Sequence, residues 1–330
     1  MIKFLQVCNV GQINGGTGAC AWSVTRALPE FQHEVWSMTA PTEETRRVFH
    51  PVPIRKPAQR LEFAFREADA DVVLLHNISR RQLAEVPEIP SINYLHSKID
   101  PALTFRRMVC SEYLNQLYGC NEKVVWQGVP RAIRKRDGGE AFGLRELRRE
   151  MIVGRLCTPV GRKWWPGLPE FYHQLASELT EIWWEFVGCP DDVKGELTEA
   201  CGGRVRFFDP GWGARSRMWD WDVLLYHHPG LPETFGRTVA EACRAGCIPV
   251  VDRAGGFVEQ LEGGPGFLCS DEGEFREFLR MLQDQGERWK RSRACREWGE
   301  VRFSLGAFRG RLLTEIRELI NREKCDDQAA

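Results

Sequence analysis

The residues with most to offer chemically lie in one run of the C-terminal half, "HHPGLPETFGRTVAEACRAGCIPVVDRAGGFVEQLEGGPGFLCS", residues 227–270. Glu233 and Glu241 stand eight positions apart there, on either side of Phe235 and Gly236, with a helical pattern after the glycine. Carboxylates at a helix start are either ligand-binding groups or solvated charges. A second candidate is the loop "NVGQINGGTGACAWSVTRALPE", residues 9–30. Its Gly16, Gly18 and Ala21 satisfy the permissive fingerprint G-x-G-x-x-A between a strand and a helix, where free N–H groups and the helix dipole attract phosphate. An NAD-dependent Rossmann enzyme is one reading, but it would also need an acidic residue at the end of the second strand for the ribose. Ser37, Met38 and Thr39 stand there instead. A glycine turn that merely lets helix and strand pack closely is the other reading.

Three further groups need weighing. Asp220-Trp221-Asp222 has the D-x-D form that can hold manganese against a diphosphate, yet it leads straight into a strand pattern. Cys243 and Cys247 are four apart with no C-x-x-C or histidine cluster beside them, which reads as buried small residues. His76 and His96 fall at strand ends, where a histidine is either structural or faces a ligand.

These residues must be positioned by a scaffold whose outline is legible. At 330 residues and 43% apolar composition, the chain is long enough for two domains, each with its own core. A net charge of −1 excludes a protein that binds polyanions with its whole surface, and an acidic disordered chain. No apolar run approaches the roughly 18 residues of a membrane span. The N-terminus lacks a small-residue cleavage site, and the twelve cysteines are scattered, so a reducing, cytoplasmic compartment is expected.

Strand and helix patterns alternate throughout, which argues for parallel sheets covered on both faces. Helices are predicted at 17–28, 80–85 and 112–118, and a loop after "HEVWSMT". A charged, glycine-bearing stretch at 128–143 reads as a linker. A second alternating series follows, and residues 272–324 show helical spacing only. The expected organisation is two Rossmann-like domains, 1–137 and 138–303, with a C-terminal helix over 304–330 packing back toward the first.

The run from Glu233 resembles the family 4 glycosyltransferases of the GT-B fold. Their pattern E-x-F-G-x-x-x-x-E-A-x-x-x-G-x-P-V-V, then G-G-x-x-E, is matched by Glu233, Phe235, Gly236, Glu241, Ala242, Gly246, Pro249, Val250, Val251, Gly255, Gly256 and Glu259. The resemblance extends over nearly the whole chain, through the first glycine loop, "VVWQGVP" and "VGRLCTPVGRK". It implies an α/β GT-B fold, two Rossmann-like domains facing across a cleft with C-terminal helices closing the structure. It also implies a retaining, metal-independent transfer from a nucleoside-diphosphate sugar, the uridine form favoured.

The site residues follow from the same resemblance. Arg155 and Lys163 are similar to a pair of diphosphate-binding cations, with Arg162 an alternative to Lys163 because the spacing carries a small insertion. Glu233 would meet the donor sugar hydroxyls and Glu241 the ribose. The turn of Thr234, Phe235, Gly236, Arg237 and Thr238 would offer backbone amides to the diphosphate. Gly15 and Gly16 would approach the diphosphate from the first domain, and His96 would lie near the reacting centre. No cofactor or metal is expected. A catalytically inactive nucleotide-sugar-binding protein is the alternative.

The acceptor is left open between a glycan, a lipid and a modified (hydroxymethylated) DNA base. Residues 1–137 hold 18 Lys/Arg against 14 Asp/Glu, +4, leaving −5 for the rest. Arg46-Arg47, Arg55-Lys56-Arg60, Arg80-Arg81, Arg106-Arg107 and the run from Arg131 to Arg136 are either solvated charge or a face for an anionic polymer such as DNA or an anionic membrane surface.

Overall fold

The structure, a computed structural model, describes residues 1–131 and 150–329, with side chains as far as 321. The expected domain boundary at 137, most of the linker and the basic residues 134–136 lie outside the described residues. The chain divides into two compact units, Met1–Val129 with Phe303–Ala330, and Pro130–Arg302.

The first unit is built on a seven-stranded sheet of β1 (Lys3–Cys8), β2 (Gln32–Ser37), β3 (Ile54–Arg55), β4 (Val72–His76), β5 (Ser91–Leu95), β6 (Arg106–Val109) and β7 (Lys123–Val124). The strands run in the order β3-β2-β1-β4-β5-β6-β7, and each neighbouring pair is parallel. Every residue of β4 and β5 is buried, as strands covered on both faces require. Its helices are α1 (Gly16–Ala27), α2 (Glu43–Phe49), α3 (Leu61–Arg66) and α4 (Glu112–Tyr118).

Two local expectations need correction. The segment after β2 carries α2, not only a loop. Thr42 caps it by accepting from the Thr45 N–H, and Glu43 and Glu44 occupy the first turn. Residues 80–85 are not helical. There the Gln82 side chain accepts from both the N–H and the hydroxyl of Ser79, which closes a turn, and Pro87 follows within a few residues.

The second unit holds a six-stranded parallel sheet of β8 (Met151–Leu156), β9 (Ile182–Val187), β10 (Val205–Phe208), β11 (Val223–Tyr226), β12 (Ile248–Asp252) and β13 (Phe267–Cys269), in the order β10-β9-β8-β11-β12-β13. Around it lie α5 (Leu168–Glu178), α6 (Asp191–Ala200), α7 (Arg237–Ala245), α8 (Gly256–Leu261), α9 (Glu272–Met281) and α10 (Gln285–Phe303), with tight 3-10 turns at Gly161–Lys163 and Trp212–Trp219. The last helix, α11 (Leu305–Ala329), packs on α1, and Arg309 bonds Ala27 O and Glu30 there. Arg106 meets Glu315 and Glu318 of the same helix.

Both sheets therefore grow outward in two directions from a first strand. Ligands of such sheets bind beyond the carboxyl ends of the strands where the direction reverses. Those points are β1/β4 in the first unit and β8/β11 in the second.

The packing next to β8/β11 is tight. Gly154 pairs with Leu224, and a Cβ on it would lie 2.0 Å from the Trp221 ring. That ring cannot yield, because its Nε1 donates to Glu185, itself fully buried and held by two bonds from Arg217 Nη2 at 2.9 and 2.7 Å. Gly154→Ala is expected to cost about 1–3 kcal/mol of stability, the range for overpacked cores. Urea unfolding with an unchanged midpoint would refute this.

Candidate functional site

Arg155, in β8 at the reversal point of the second sheet, has no exposed surface. Its Nη1 donates to His227 O at 3.1 Å and its Nη2 to Lys163 O at 2.9 Å. The guanidinium lies 4.7 Å from the Tyr226 ring centre and 5.3 Å from that of Trp164, a cation enclosed by aromatic faces. Arg155 thus ties the turn bearing Lys163 to the end of β11. The ring of His227 is fixed in its turn, since Nδ1 lies 2.6 Å from Asp252 Oδ1.

Lys163 reaches across to Glu233 and donates to its Oε1. Arg162, the alternative cation, is exposed, and its backbone carbonyl lies 2.9 Å from His228 Nε2. Of the two, Lys163 is the one beside a sequence-selected carboxylate.

The segment 232–236 that carries Glu233 is seated on the paired glycines of the motif. A Cβ on Gly255, which has φ +61°, would fall 2.4 Å from Glu233 O, and one on Gly256 would fall 2.3 Å from Thr234 O. The Gly256 N–H donates to Glu233 O at 2.8 Å, and Gln260 Nε2 donates to Phe235 O. Phe235 is buried, so its contribution to the site is through the backbone. Gly236 has φ +82° with the Phe257 ring against it, a conformation and a space that only glycine fits.

Gly236 caps α7, which has no side-chain cap and no acidic residue in its first turn. Its first N–H groups are the kind that bind anions, with Arg237 and Thr238 half-buried beside them. Glu241, one turn further, is buried, with Arg215 Nη1 at 3.5 Å and Arg237 Nη2 at 3.7 Å. Arg215 lies 3.5 Å over the Trp212 ring, and burial draws its pKa down against the pull of Glu241. Sequence reading missed Arg215, Trp212 and Tyr226, because "GWGARSRMW" and "VLLYHH" read as an ordinary helix and strand.

In the first unit, Gly16 opens α1 and Gly15 is its N-cap, with an ordinary φ of −83°. Two other glycines serve packing. A Cβ on Gly18 would meet Gln12 O at 2.5 Å, and one on Gly11 would meet Thr39 O at 2.6 Å. A Cβ on Gly15 would find nothing nearer than 3.6 Å, so the fold does not itself demand that glycine. At the end of β2 the turn is self-satisfied: Thr39 Oγ1 accepts from the Gly11 N–H and Ser37 Oγ donates to Thr39 O.

His76 and His96 form one buried chain. His76 Nδ1 and His96 Nε2 are 3.1 Å apart, His76 Nε2 lies 2.9 Å from Gln6 Oε1, and Gln127 Nε2 lies 2.8 Å from His96 Nδ1. With the amides so oriented the protons run one way: Gln127 donates to His96, His96 to His76, and His76 to Gln6. Cys20 adjoins the pair, and these three are the group of metal-ligating type found among the described residues. The rings are within 5° of parallel with centroids 5.4 Å apart. Given the 3.1 Å contact, both nitrogens must lie on the line between ring centres. The two nitrogens point at each other and do not converge on a third point, which is the geometry of an N–H···N bond.

The other candidates resolve into structure. Asp222 accepts from the Ile152 N–H at 2.8 Å and lies 3.7 Å from Arg288, while Asp220 lies 3.6 Å from Arg217. Cys243 and Cys247 are fully buried. Much of the basic clustering is paired internally: Arg55 with Glu34, Arg60 with Glu62, Arg107 with Glu122, and Arg106 as above.

The sequence matches no protein-family model and no curated protein. Solved structures do match. The Anabaena protein HepE in complex with UDP-glucose superposes with a TM-score of 0.78 at 16% identity, over 96% of this chain and 100% of that one. A glycosyltransferase from Rickettsia africae gives 0.75 at 12% identity, over 97% and 99%. The sucrose-phosphate synthase of Thermosynechococcus elongatus gives 0.70 at 14%, over 97% and 100%. The chain has the GT-B fold that these glycosyltransferases share.

Burial pushes the His76 pKa down to about 3. The unfolded chain therefore takes up a proton first, and the stability this histidine contributes is whole above about pH 6.5 and lost as pH falls toward 3. Ring 15N shifts of His76 at pH 5.5 are expected to be those of a neutral imidazole, and an imidazolium signal there would refute the buried chain.

Proposed function

We propose that the protein is a retaining glycosyltransferase of the family 4 type, which moves a sugar from a nucleoside-diphosphate sugar, uridine before guanosine, to an acceptor hydroxyl without divalent metal. The observation that carries this reading is the Lys163–Glu233 pair beside β8/β11, on the segment that leads directly into the start of α7, where no side chain caps the helix and Glu241 lies buried against Arg215 and Arg237. It is supported by the glycosyltransferase fold, and by HepE, which holds UDP-glucose.

The reaction needs charge stabilisation at the leaving group more than it needs a base. As the bond from the anomeric carbon to the phosphate oxygen breaks, negative charge grows on the nucleoside diphosphate, and Lys163 and the first N–H groups of α7 stabilise it. The acceptor oxygen bonds the same face of that carbon, and its proton passes to the leaving phosphate. Glu233 accepts from the donor sugar hydroxyls, and Glu241, with Arg215 and Arg237 beside it, from the ribose. Arg155 acts on the diphosphate through the Lys163 turn that it holds.

Gly15 and Gly16 let backbone N–H groups approach a phosphate. For His96, a sugar hydroxyl would replace Gln127 at Nδ1. Free cysteines, buried at all the described positions except Cys120, suit the cytoplasm. No helix among the described residues is long and apolar enough to cross a membrane.

The acceptor is a glycan, a lipid or an anionic polymer such as DNA with hydroxymethylated bases. Arg46, Arg47, Lys56 and Arg81 are exposed without a carboxylate partner among the described residues, which favours an anionic one. Transfer to such a polymer falls steeply with salt, and transfer to a neutral glycan does not.

Calorimetry in chelator is expected to show binding of uridine diphosphate sugars. Binding only with manganese, or only of NAD, would overturn the reading, and the absence of donor hydrolysis and transfer would leave a binding protein. Glu241→Ala is expected to weaken donor binding at least about tenfold, whereas His96→Ala lowers kcat more than donor affinity. Wild-type kcat in His96→Ala would remove it from the site.

A further inference from the structure

Tyr226 ends β11 at the reversal point of the second sheet and is 2% exposed. Its ring is gripped by the Arg155 guanidinium at 4.7 Å and, edge-on, by Phe257 at 5.3 Å. The hydroxyl donates to Glu233 Oε1 at 2.6 Å. Burial, with Cys157 and Glu233 nearby, drives its pKa far up, so the proton stays and the group remains a donor.

Glu233 Oε1 therefore has two donors, Tyr226 and Lys163, while Oε2 has none among the described residues. The Glu233 side chain is 22% exposed, and it presents one saturated oxygen and one open one. We infer that Tyr226 is a positioning residue that holds Glu233 with Oε2 open to a sugar hydroxyl, and so makes the site prefer a sugar nucleotide over the bare nucleotide. This rests on the glycosyltransferase reading above.

The two donors differ in how they respond to a ligand. Lys163 is a flexible point charge on a turn, and a diphosphate, with more negative charge than one carboxylate, competes for it. Tyr226 is buried and neutral, and nothing in a donor competes for its proton. When a diphosphate draws Lys163 away, Tyr226 is what keeps Glu233 in place. A bare nucleoside diphosphate engages Lys163 but has no hydroxyl for Oε2, so its affinity is indifferent to where Glu233 points.

The test is the ratio of two affinities, with UDP and the tightest-binding UDP-sugar of a panel as probes, for wild type, Tyr226→Phe, Glu233→Gln and the double variant. Tyr226→Phe is expected to weaken the sugar nucleotide about tenfold, the effect of one hydrogen bond to a charged group, and UDP less than twofold. The double variant should be no weaker than Glu233→Gln alone, since the two residues act as one unit. Equal weakening of both probes, no change in either, or additive losses would each overturn the inference. If wild type binds neither UDP nor any UDP-sugar, the glycosyltransferase reading fails first, which is a separable result. UDP affinity and the melting temperature of Tyr226→Phe report that it has folded.

Discussion

The second unit is organised around a positive charge with no access to water. Burying a guanidinium costs several kcal/mol unless its N–H groups are satisfied and its charge is faced by electron-rich groups. Arg155 meets that condition in part, with two backbone carbonyls at Nη1 and Nη2 and two aromatic rings around the charge, while its Nε has no hydrogen-bond partner among the described residues. The carbonyls belong to His227, just past β11, and to Lys163, on the turn after β8. Satisfying one buried charge therefore fixes the two segments from which the candidate site is made, and removing it would leave both carbonyls unpaired and the rings facing a void.

From that frame, close backbone packing carries the precision outward. The glycines at 255 and 256 let one turn lie directly against residues 233 and 234, nearer than any Cβ allows. Gly236 then starts α7 in a left-handed conformation, with no side chain capping its first turn. The result is that the backbone carrying Glu233 and opening α7 is fixed by main-chain packing, which loses less on binding than a mobile segment would.

The first unit solves a different problem, two buried imidazoles. It strings them between two amide side chains, which fixes their tautomers, and burial favours the neutral form of His76. The strand ends that carry them are held by Asn77, whose Oδ1 accepts from the N–H groups of His96 and Ser97.

Much of the scaffold was legible in the chain because its signals are local. Buried parallel strands read as short apolar runs, and a helix between them reads from its spacing, so the alternation, the two sheets and the GT-B resemblance could be seen without coordinates. The error at 80–85 and the missed α2 have one cause: over six or seven residues, a side-chain turn or a cap outweighs periodicity. Glu233, Glu241 and the glycines around them were marked by spacing along one segment.

The sequence by itself determined which residue types were available and where along the chain backbone would come close. Only the tertiary structure decided that Arg155 is buried, that Lys163 meets Glu233, and that Tyr226, Arg215 and Gln127 belong to these clusters. Those partners lie 7 to 70 positions apart, as between Tyr226 and Glu233 or Lys163 and Glu233. Hydrogen bonds and burial are set by distance in space, and no pattern along the chain encodes them.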